Sequence, residues 1–140
     1  MIQDIAPHIY HNEFSPRSPR QEDMLLIFRE DQVLVRSEAP QLTLPTLGQM
    51  AGILPDPSVQ PLFSIDETLY DLLDGPAPEA PAGWDYLPSG EYRNRTPRDR
   101  AFACAVGESL HRWREANRFC GRCGHRMENS RTERALVCPA

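Results

Sequence analysis

Residues 118–125 read Arg-Phe-Cys-Gly-Arg-Cys-Gly-His, and residues 137–139 read Val-Cys-Pro. Two residues separate Cys120 from Cys123, so both sulfur atoms can reach one metal ion from a single tight turn. Fourteen residues separate Cys123 from Cys138, just under the usual interval between two Cys-x-x-Cys pairs. Because zinc prefers tetrahedral sites with thiolate ligands, this spacing predicts a structural zinc ribbon with Cys120, Cys123 and Cys138 as ligands.

The residues around these cysteines suit a short hairpin. Gly121 and Gly124 permit positive φ in the first turn and leave backbone N–H groups free to point at sulfur. Residues 133–137, Glu-Arg-Ala-Leu-Val, are expected to form the strand that returns into Cys138. Three free cysteines in a tail, or a redox Cys-x-x-Cys pair, are the alternatives. The Gly-His that follows the first pair is unlike the continuation of a thioredoxin-type motif, which disfavours the redox pair.

The pattern lacks a fourth zinc ligand. A regular second knuckle would place a cysteine three residues after Cys138, and the sequence ends at Ala140. We therefore expect a weaker, three-thiolate site, in a chain that is a truncated form, a split gene product or an isolated domain. Three substitutes are open: the imidazole of His125, the thiol of Cys104, which is expected to be a core residue, and the α-carboxylate of Ala140.

The overall composition is that of a globular chain with many turns. It has 140 residues, 14 prolines and a formal net charge of −5. The acidic balance argues against a general nucleic-acid binder, although four arginines form a local basic patch: Arg93, Arg95, Arg98 and Arg100. No targeting segment is visible and no apolar run approaches about 18 residues, so we expect a cytoplasmic protein without membrane association.

Residues 1–95 are expected to form a small β-rich domain. The expected strands cover residues 8–11, 24–28, 32–36, an edge strand with Leu42 and Leu44, and residues 61–65, 68–73 and 84–87. Two hairpins follow from these strands, one turning at residues 29–31 and one at residues 66–67. A helix over residues 67–73 is the alternative to the second hairpin. Residues 48–57 and the proline-rich residues 74–83 are expected to be loops.

Residues 96–118 are expected to form a connecting helix, which makes the fold class α+β. Thr96 is the expected N-cap, Pro97 the first helical residue and Asp99 the acidic residue of the first turn. An apolar stripe follows at helical spacing: Phe102, Val106, Leu110 and Trp113. The charged residues fall mostly on the opposite face: Arg98, Arg100, Glu108, Arg112 and Arg114. The helix is expected to end near Asn117 and to lead into the ribbon at residues 119–140.

The cysteine-containing segment, together with Ser-Arg-Thr-Glu at residues 130–133, resembles the zinc ribbon of the NADH pyrophosphatases of the Nudix superfamily. The preceding helix agrees with that family's connecting helix, notably Leu-His-Arg-Trp at residues 110–113. Leu-Phe-Ser-Ile-Asp at residues 62–66 is similar to its N-terminal domain. The resemblance is specific over residues 93–140 and looser before them.

The resemblance implies an order of domains and a set of functional residues. The family carries a degenerate Nudix-like N-terminal domain, then the ribbon, then the catalytic domain, so this chain corresponds to the first two parts. Cys120, Cys123 and Cys138 correspond to the zinc ligands. Glu133 and Arg93 correspond to residues that contact the dinucleotide. Judged from the residues alone, both would be ordinary solvent-exposed side chains.

The resemblance also implies an activity that resides elsewhere. The family hydrolyses NADH or NAD to nicotinamide mononucleotide and AMP, using Mg or Mn held by the glutamates of a Nudix box, Gly-x5-Glu-x7-Arg-Glu-x-x-Glu-Glu-x-Gly. No such string occurs in the sequence, so we expect no hydrolysis by this chain alone. The implied partners are NAD(H), NAD-capped RNA and a second copy in a homodimer. The alternative function is a zinc-ribbon binding or dimerisation module without hydrolase activity, for which Trp113 and Phe119 offer apolar surface.

Overall fold

The fold is α+β, as predicted, in a computed structural model that describes residues 10–11, 19–54, 58–74, 76–119, 122, 124–129 and 136–138. The strands are β1 Tyr10–His11, β2 Met24–Leu26, β3 Phe28–Arg29, β4 Gln32–Arg36, β5 Val59–Ile65, β6 Thr68–Leu73, β7 Trp84–Pro88, β8 Glu128–Asn129 and β9 Leu136–Val137. The helices are α1 Leu47–Ala51, α2 Ser89–Tyr92 and α3 Arg98–Ala116. One sheet has the order β1-β5-β6-β2, a second has the order β3-β4-β7, and β8 pairs with β9.

The apolar run at residues 24–28 contributes one strand to each of the two larger sheets. It was predicted as one strand, but β2 pairs in parallel with β6, and β3 pairs antiparallel with β4 after a break at Ile27. Successive side chains of an extended chain point to opposite sides. Leu26 and Phe28 accordingly pack in one hydrophobic cluster, and Leu25 and Ile27 pack in another. The run is continuously apolar because both of its faces are covered.

The other predicted strands are largely confirmed. The first hairpin is formed by β3 and β4, and the second by β5 and β6, in which Ile65 faces Thr68 and Asp66 has a φ of 53°. The alternative helix over residues 67–73 is therefore wrong. The predicted last strand is β7, and the described residues from 76 to 83 carry no regular structure, as expected for a loop. Of the predicted strand at residues 8–11, the described part forms β1.

Two predictions between β4 and β5 are wrong. Leu42 and Leu44 are buried but belong to no strand. Their segment makes isolated backbone hydrogen bonds and not a strand ladder, for example from Leu42 N to Thr96 O at 2.7 Å. Residues 48–51, which were predicted as the start of a loop, belong instead to α1. Thr46 caps that helix, since its side chain accepts from Gln49 N while the Gln49 side chain accepts from Thr46 N. Residues 55–57 lie outside the described residues.

The long helix α3 starts one residue later than predicted. Pro97, with a φ of −68° and a ψ of 151°, occupies the N-cap position, so Thr96 precedes the cap and the cap residue itself makes no side-chain hydrogen bond. Asp99 lies in the first turn, as predicted, where its charge favours the helix dipole. The helix ends at the C-cap residue Asn117, also as predicted. No helix in the described part of the chain is long and apolar enough to span a membrane.

The buried face of α3 differs from the predicted stripe. Small residues and one glutamate are buried: Ala101, Ala103, Cys104, Gly107 and Glu108. The larger residues Phe102, Val106 and Leu110 are half-buried along the side of the helix, and Trp113 is 39% exposed. The reason is a close approach of the helix to the sheet, since a Cβ atom on Gly107 would lie 2.5 Å from Leu26 Cδ1 and 3.3 Å from Phe28 Cε2.

Replacing Gly107 with alanine is expected to lower the free energy of unfolding by about 1 kcal/mol. Overpacking a core costs about 1–3 kcal/mol, and the better helix propensity of alanine returns about 1 kcal/mol. Urea denaturation measures the difference. Gly52→Ala is the matched control, because Gly52 has a φ of −79° and its Cβ would meet no atom within 4 Å. Equal stability of the two variants would contradict the proposed close packing.

Candidate metal centre

The end of α3 leads into a closed loop that contains the first two predicted zinc ligands. Met127 N donates a hydrogen bond to Arg118 O at 2.8 Å, and Phe119 forms an antiparallel bridge with Arg126. These contacts close residues 119–126 into what we call the cysteine loop. Gly124 has a φ of +76°, the positive value expected for this turn. Cys120, Cys123 and Gly121 belong to the loop in sequence but lie outside the described residues.

A short hairpin returns the chain to the base of the cysteine loop. β8 and β9 are antiparallel, with Glu128 opposite Val137 and Asn129 opposite Leu136. Continuing this register by one residue places Cys138 opposite Met127, the residue that bonds to Arg118 O. Cys138 is half-buried there. The predicted returning strand is therefore confirmed over its described part, whereas residues 130–135, including Glu133, lie outside it.

The three candidates for a fourth ligand differ in their location and exposure. The side chain of His125 is exposed at the cysteine loop. Cys104 is 0% exposed in the hydrophobic core, as predicted, and burial raises the pKa of its thiol. It also lies twelve residues before Ala116, which is about 18 Å along the axis of α3, so it is remote from the loop. The α-carboxylate of Ala140 lies outside the described residues.

The donor set of the loop and hairpin fits zinc. The part of the chain that the structure describes contains no cluster of three His, Cys, Asp or Glu side chains, as expected when two of the three thiols fall outside it. Soft thiolates from a tight turn and a returning strand are the ligands of a structural zinc site. The positive φ of Gly124 and the register of Cys138 agree with that arrangement.

A cavity of about 320 Å³ lies beside the hairpin. Its walls come from the end of α3, the residue after β6 and the hairpin: Asp74, Arg114, Glu115, Arg118, Arg126, Met127, Glu128 and Leu136. Two ion pairs cross this region, Arg114 with Asp74 at 3.2 Å and Arg118 with Glu115 at 3.1 Å. The first pair links the end of α3 to the sheet.

The predicted substrate residue Arg93 lies outside the metal centre, at the C-cap of α2. Its Nη2 atom is 3.9 Å from Glu108 Oε2, and the Nη2 atom of Arg112 is 3.4 Å from the same oxygen. The Tyr92 hydroxyl donates to Glu108 Oε1 at 3.0 Å. We call these four residues, Tyr92, Arg93, Glu108 and Arg112, the Glu108 cluster.

Sequence reasoning missed the Glu108 cluster apart from Arg93. Glu108 was assigned to the solvent-exposed face of α3, but it is 3% exposed. A charged residue is rarely buried unless it is paired, and here Tyr92 and Arg93 come from α2 and its C-cap, whereas Arg112 lies one turn further along α3. Burial, and next the hydrogen bond to Glu108, raise the pKa of Tyr92, so the phenol remains a donor at neutral pH. The spacing of four residues between Glu108 and Arg112 is a helical signal for an ion pair, whereas no periodicity in the sequence marks the contacts with α2 in advance.

The C-terminal segment has a known counterpart. Residues 115–140 match the family model described as the NADH pyrophosphatase zinc ribbon domain. The matched segment begins in the last turn of α3 and continues through the cysteine loop, both strands of the hairpin and Cys138. It supports the NADH pyrophosphatase family and a zinc-binding role for this part of the chain. A comparison with curated proteins finds no match to the chain.

Replacing Tyr92 with phenylalanine is expected to lower the free energy of unfolding by about 1.5–3 kcal/mol, the range for hydrogen bonds to charged groups. The variant removes a buried donor to the Glu108 carboxylate without removing the ring. Tyr86→Phe is the matched control, because the Tyr86 hydroxyl donates at 2.6 Å to the neutral Pro78 O. That loss should cost only about 0.5–1.5 kcal/mol. A smaller loss for Tyr92→Phe than for Tyr86→Phe in urea denaturation would contradict this assignment.

Proposed function

We propose that this chain is the N-terminal and zinc-ribbon portion of an NAD(H) diphosphatase of the Nudix superfamily. The observation that carries the proposal is the match of residues 115–140 to the NADH pyrophosphatase zinc ribbon. In this proposal residues 1–95 form a Nudix-like domain, residues 96–118 form the connecting helix, and residues 119–140 form the zinc ribbon. The parent enzyme cleaves NADH or NAD to nicotinamide mononucleotide and AMP.

The proposed metal ligands are Cys120, Cys123 and Cys138. Zinc bound there supplies a structural cross-link between the cysteine loop and the hairpin. The backbone supports this role in the described residues, since the Arg118–Met127 hydrogen bond and the strand register bring the two segments together. Mg or Mn belongs to a Nudix box, which this sequence does not contain.

The proposed dinucleotide contacts are Glu133 and Arg93. Arg93 is suited to this role because its side chain is 43% exposed and its guanidinium lies near a buried carboxylate. Arginine presents several N–H donors in a planar group, which matches the oxygens of a phosphate. NAD-capped RNA as a further substrate and a homodimeric parent remain part of the proposal.

The second candidate is a binding or dimerisation module without hydrolase activity. The observation that favours it is exposed apolar surface on the ribbon, where Phe119 is 58% exposed and Val137 is 44% exposed. Trp113, near the end of α3, is 39% exposed. Large apolar side chains in such positions are often covered by a partner.

The ligand assignment predicts a zinc phenotype. Cys138→Ser is expected to weaken zinc binding by at least about tenfold, the effect that loss of even an outer-shell partner often has. Titration of the chain with zinc against a competing chelating dye measures the affinity. Cys104→Ala is the matched control, because this thiol is buried in the core. Unchanged zinc affinity in Cys138→Ser would remove Cys138 from the site.

Because the proposal assigns catalysis to a separate Nudix domain, it predicts that the purified 140-residue chain does not hydrolyse NADH in the presence of Mg²⁺. Attack on a pyrophosphate needs the Nudix glutamates, and the sequence lacks them. Chromatography of the reaction mixture measures AMP release. Magnesium-dependent AMP production that persists after purification to homogeneity would refute the proposal that this chain is non-catalytic.

A further inference from the structure

Two guanidinium groups in the Glu108 cluster share one buried carboxylate. Glu108 Oε1 accepts the hydrogen bond from Tyr92 at 3.0 Å. Glu108 Oε2 faces the Nη2 atoms of Arg112 and Arg93, at 3.4 and 3.9 Å. The carboxylate is therefore held on one side by a hydroxyl group and on the other by two positive charges.

This arrangement leaves an excess positive charge and unused hydrogen-bond donors. One carboxylate neutralises one guanidinium, so the cluster has a net charge of about +1. Among the described residues, no other carboxylate pairs with Arg93 or Arg112. Their side chains are 43% and 63% exposed. Each guanidinium carries five N–H donors, and the ion pair with Glu108 involves one nitrogen of each.

The spacing of the two groups suits a phosphate. The two Nη2 atoms lie 3.9 and 3.4 Å from the same oxygen atom, so they are at most about 7.3 Å apart. Two charge-assisted hydrogen bonds of about 2.8 Å, one on either side of a phosphate group, can bridge that separation. Arginine pairs recognise phosphate through such planar, directed contacts.

We propose that Arg93 and Arg112 together bind a phosphate group of a diphosphate-containing ligand, with Glu108 as their positioning residue. The proposal deepens the function proposed above and rests on it for the ligand class, because Arg93 was assigned there to the dinucleotide. Arg112 is the added binding residue. Glu108 holds both guanidinium groups towards one point and does not itself contact the ligand.

Acidic neighbours limit where the anion can lie. Arg112 also borders a groove of about 550 Å³ that contains Glu30, Asp31, His111 and Glu115. The carboxylates in that groove repel a phosphate, which leaves the side of Arg112 that faces Arg93 as the favourable one. Removing one of these charges should strengthen binding, so Asp31→Asn tests the position of the ligand.

The test is calorimetric titration of the whole, zinc-loaded 140-residue chain with inorganic pyrophosphate at 0.15 M salt. Arg112→Gln and Arg93→Gln are each expected to weaken binding by about tenfold or more, since a lost hydrogen bond between charged groups has that effect. Asp31→Asn is expected to tighten it. Arg20→Gln is the control and should change affinity by less than about twofold, because Arg20 is 61% exposed and, among the described residues, forms an ion pair with the exposed Glu22.

A separate variant tests the positioning role. Glu108→Gln keeps an acceptor for Tyr92 but removes the charge that holds the arginines. A purely electrostatic effect would strengthen pyrophosphate binding, because the cluster becomes more positive; a positioning role predicts weaker binding. Circular dichroism verifies the fold of this variant, and tighter binding in a folded Glu108→Gln protein overturns the positioning role.

Three results overturn the phosphate site. They are no pyrophosphate binding by the wild-type chain at millimolar concentration, unchanged binding in both Arg93→Gln and Arg112→Gln, and an equal loss in Arg20→Gln. These outcomes are distinguishable from failure of the proposed function, which is decided by zinc binding through Cys138 and by NADH turnover. A chain that binds zinc through Cys138 but ignores pyrophosphate overturns only the phosphate site.

Discussion

The close packing of α3 against β2 and β3 at Gly107 is the contact on which the rest of the structure depends. A methyl group at this position would come within 2.5 Å of Leu26 Cδ1, so the helix backbone, and not a long side chain, meets the sheet. The neighbouring Glu108 is thereby carried into the interior, where a carboxylate must find partners. The same contact fixes the orientation of the α3 axis, and that orientation determines where the chain enters the cysteine loop.

Sequence patterns predicted the elements that depend on local signals. The β5–β6 hairpin, the strand β7, the extent of α3 and the zinc ribbon follow from alternation, helical spacing and cysteine spacing within short windows. The capping box of Thr46 and Gln49 was also a local signal, and its omission cost the prediction of α1. The break at Ile27 had no such signal, because it depends on which strands the run meets on each side.

The candidate sites divide in the same way. Cys120, Cys123 and Cys138 could be proposed as ligands from spacing alone, and the described part of the hairpin agrees with that spacing. The contacts of Glu108 with Tyr92 and Arg93 could not, because they form only once α2 lies against α3. A buried carboxylate removed from water needs several partners to offset the loss of solvation. Arg93 and Tyr92 lie fifteen and sixteen residues before Glu108, and Arg112 lies one helical turn after it. Each of the three resembles an ordinary surface residue in sequence.

Net charge is a weak guide to where an anion can bind, because charges act over about 8 Å at physiological ionic strength. The chain has 15 basic and 20 acidic residues, but Glu108 is buried and faces two arginines, so the surface there is more positive than the total suggests. The cavity beside the ribbon differs. There Arg114 is balanced by Asp74 and Arg118 by Glu115, and the remaining arginine and glutamate of its lining offset each other. An anion therefore gains more at the Glu108 cluster than in the electrically balanced cavity beside the ribbon.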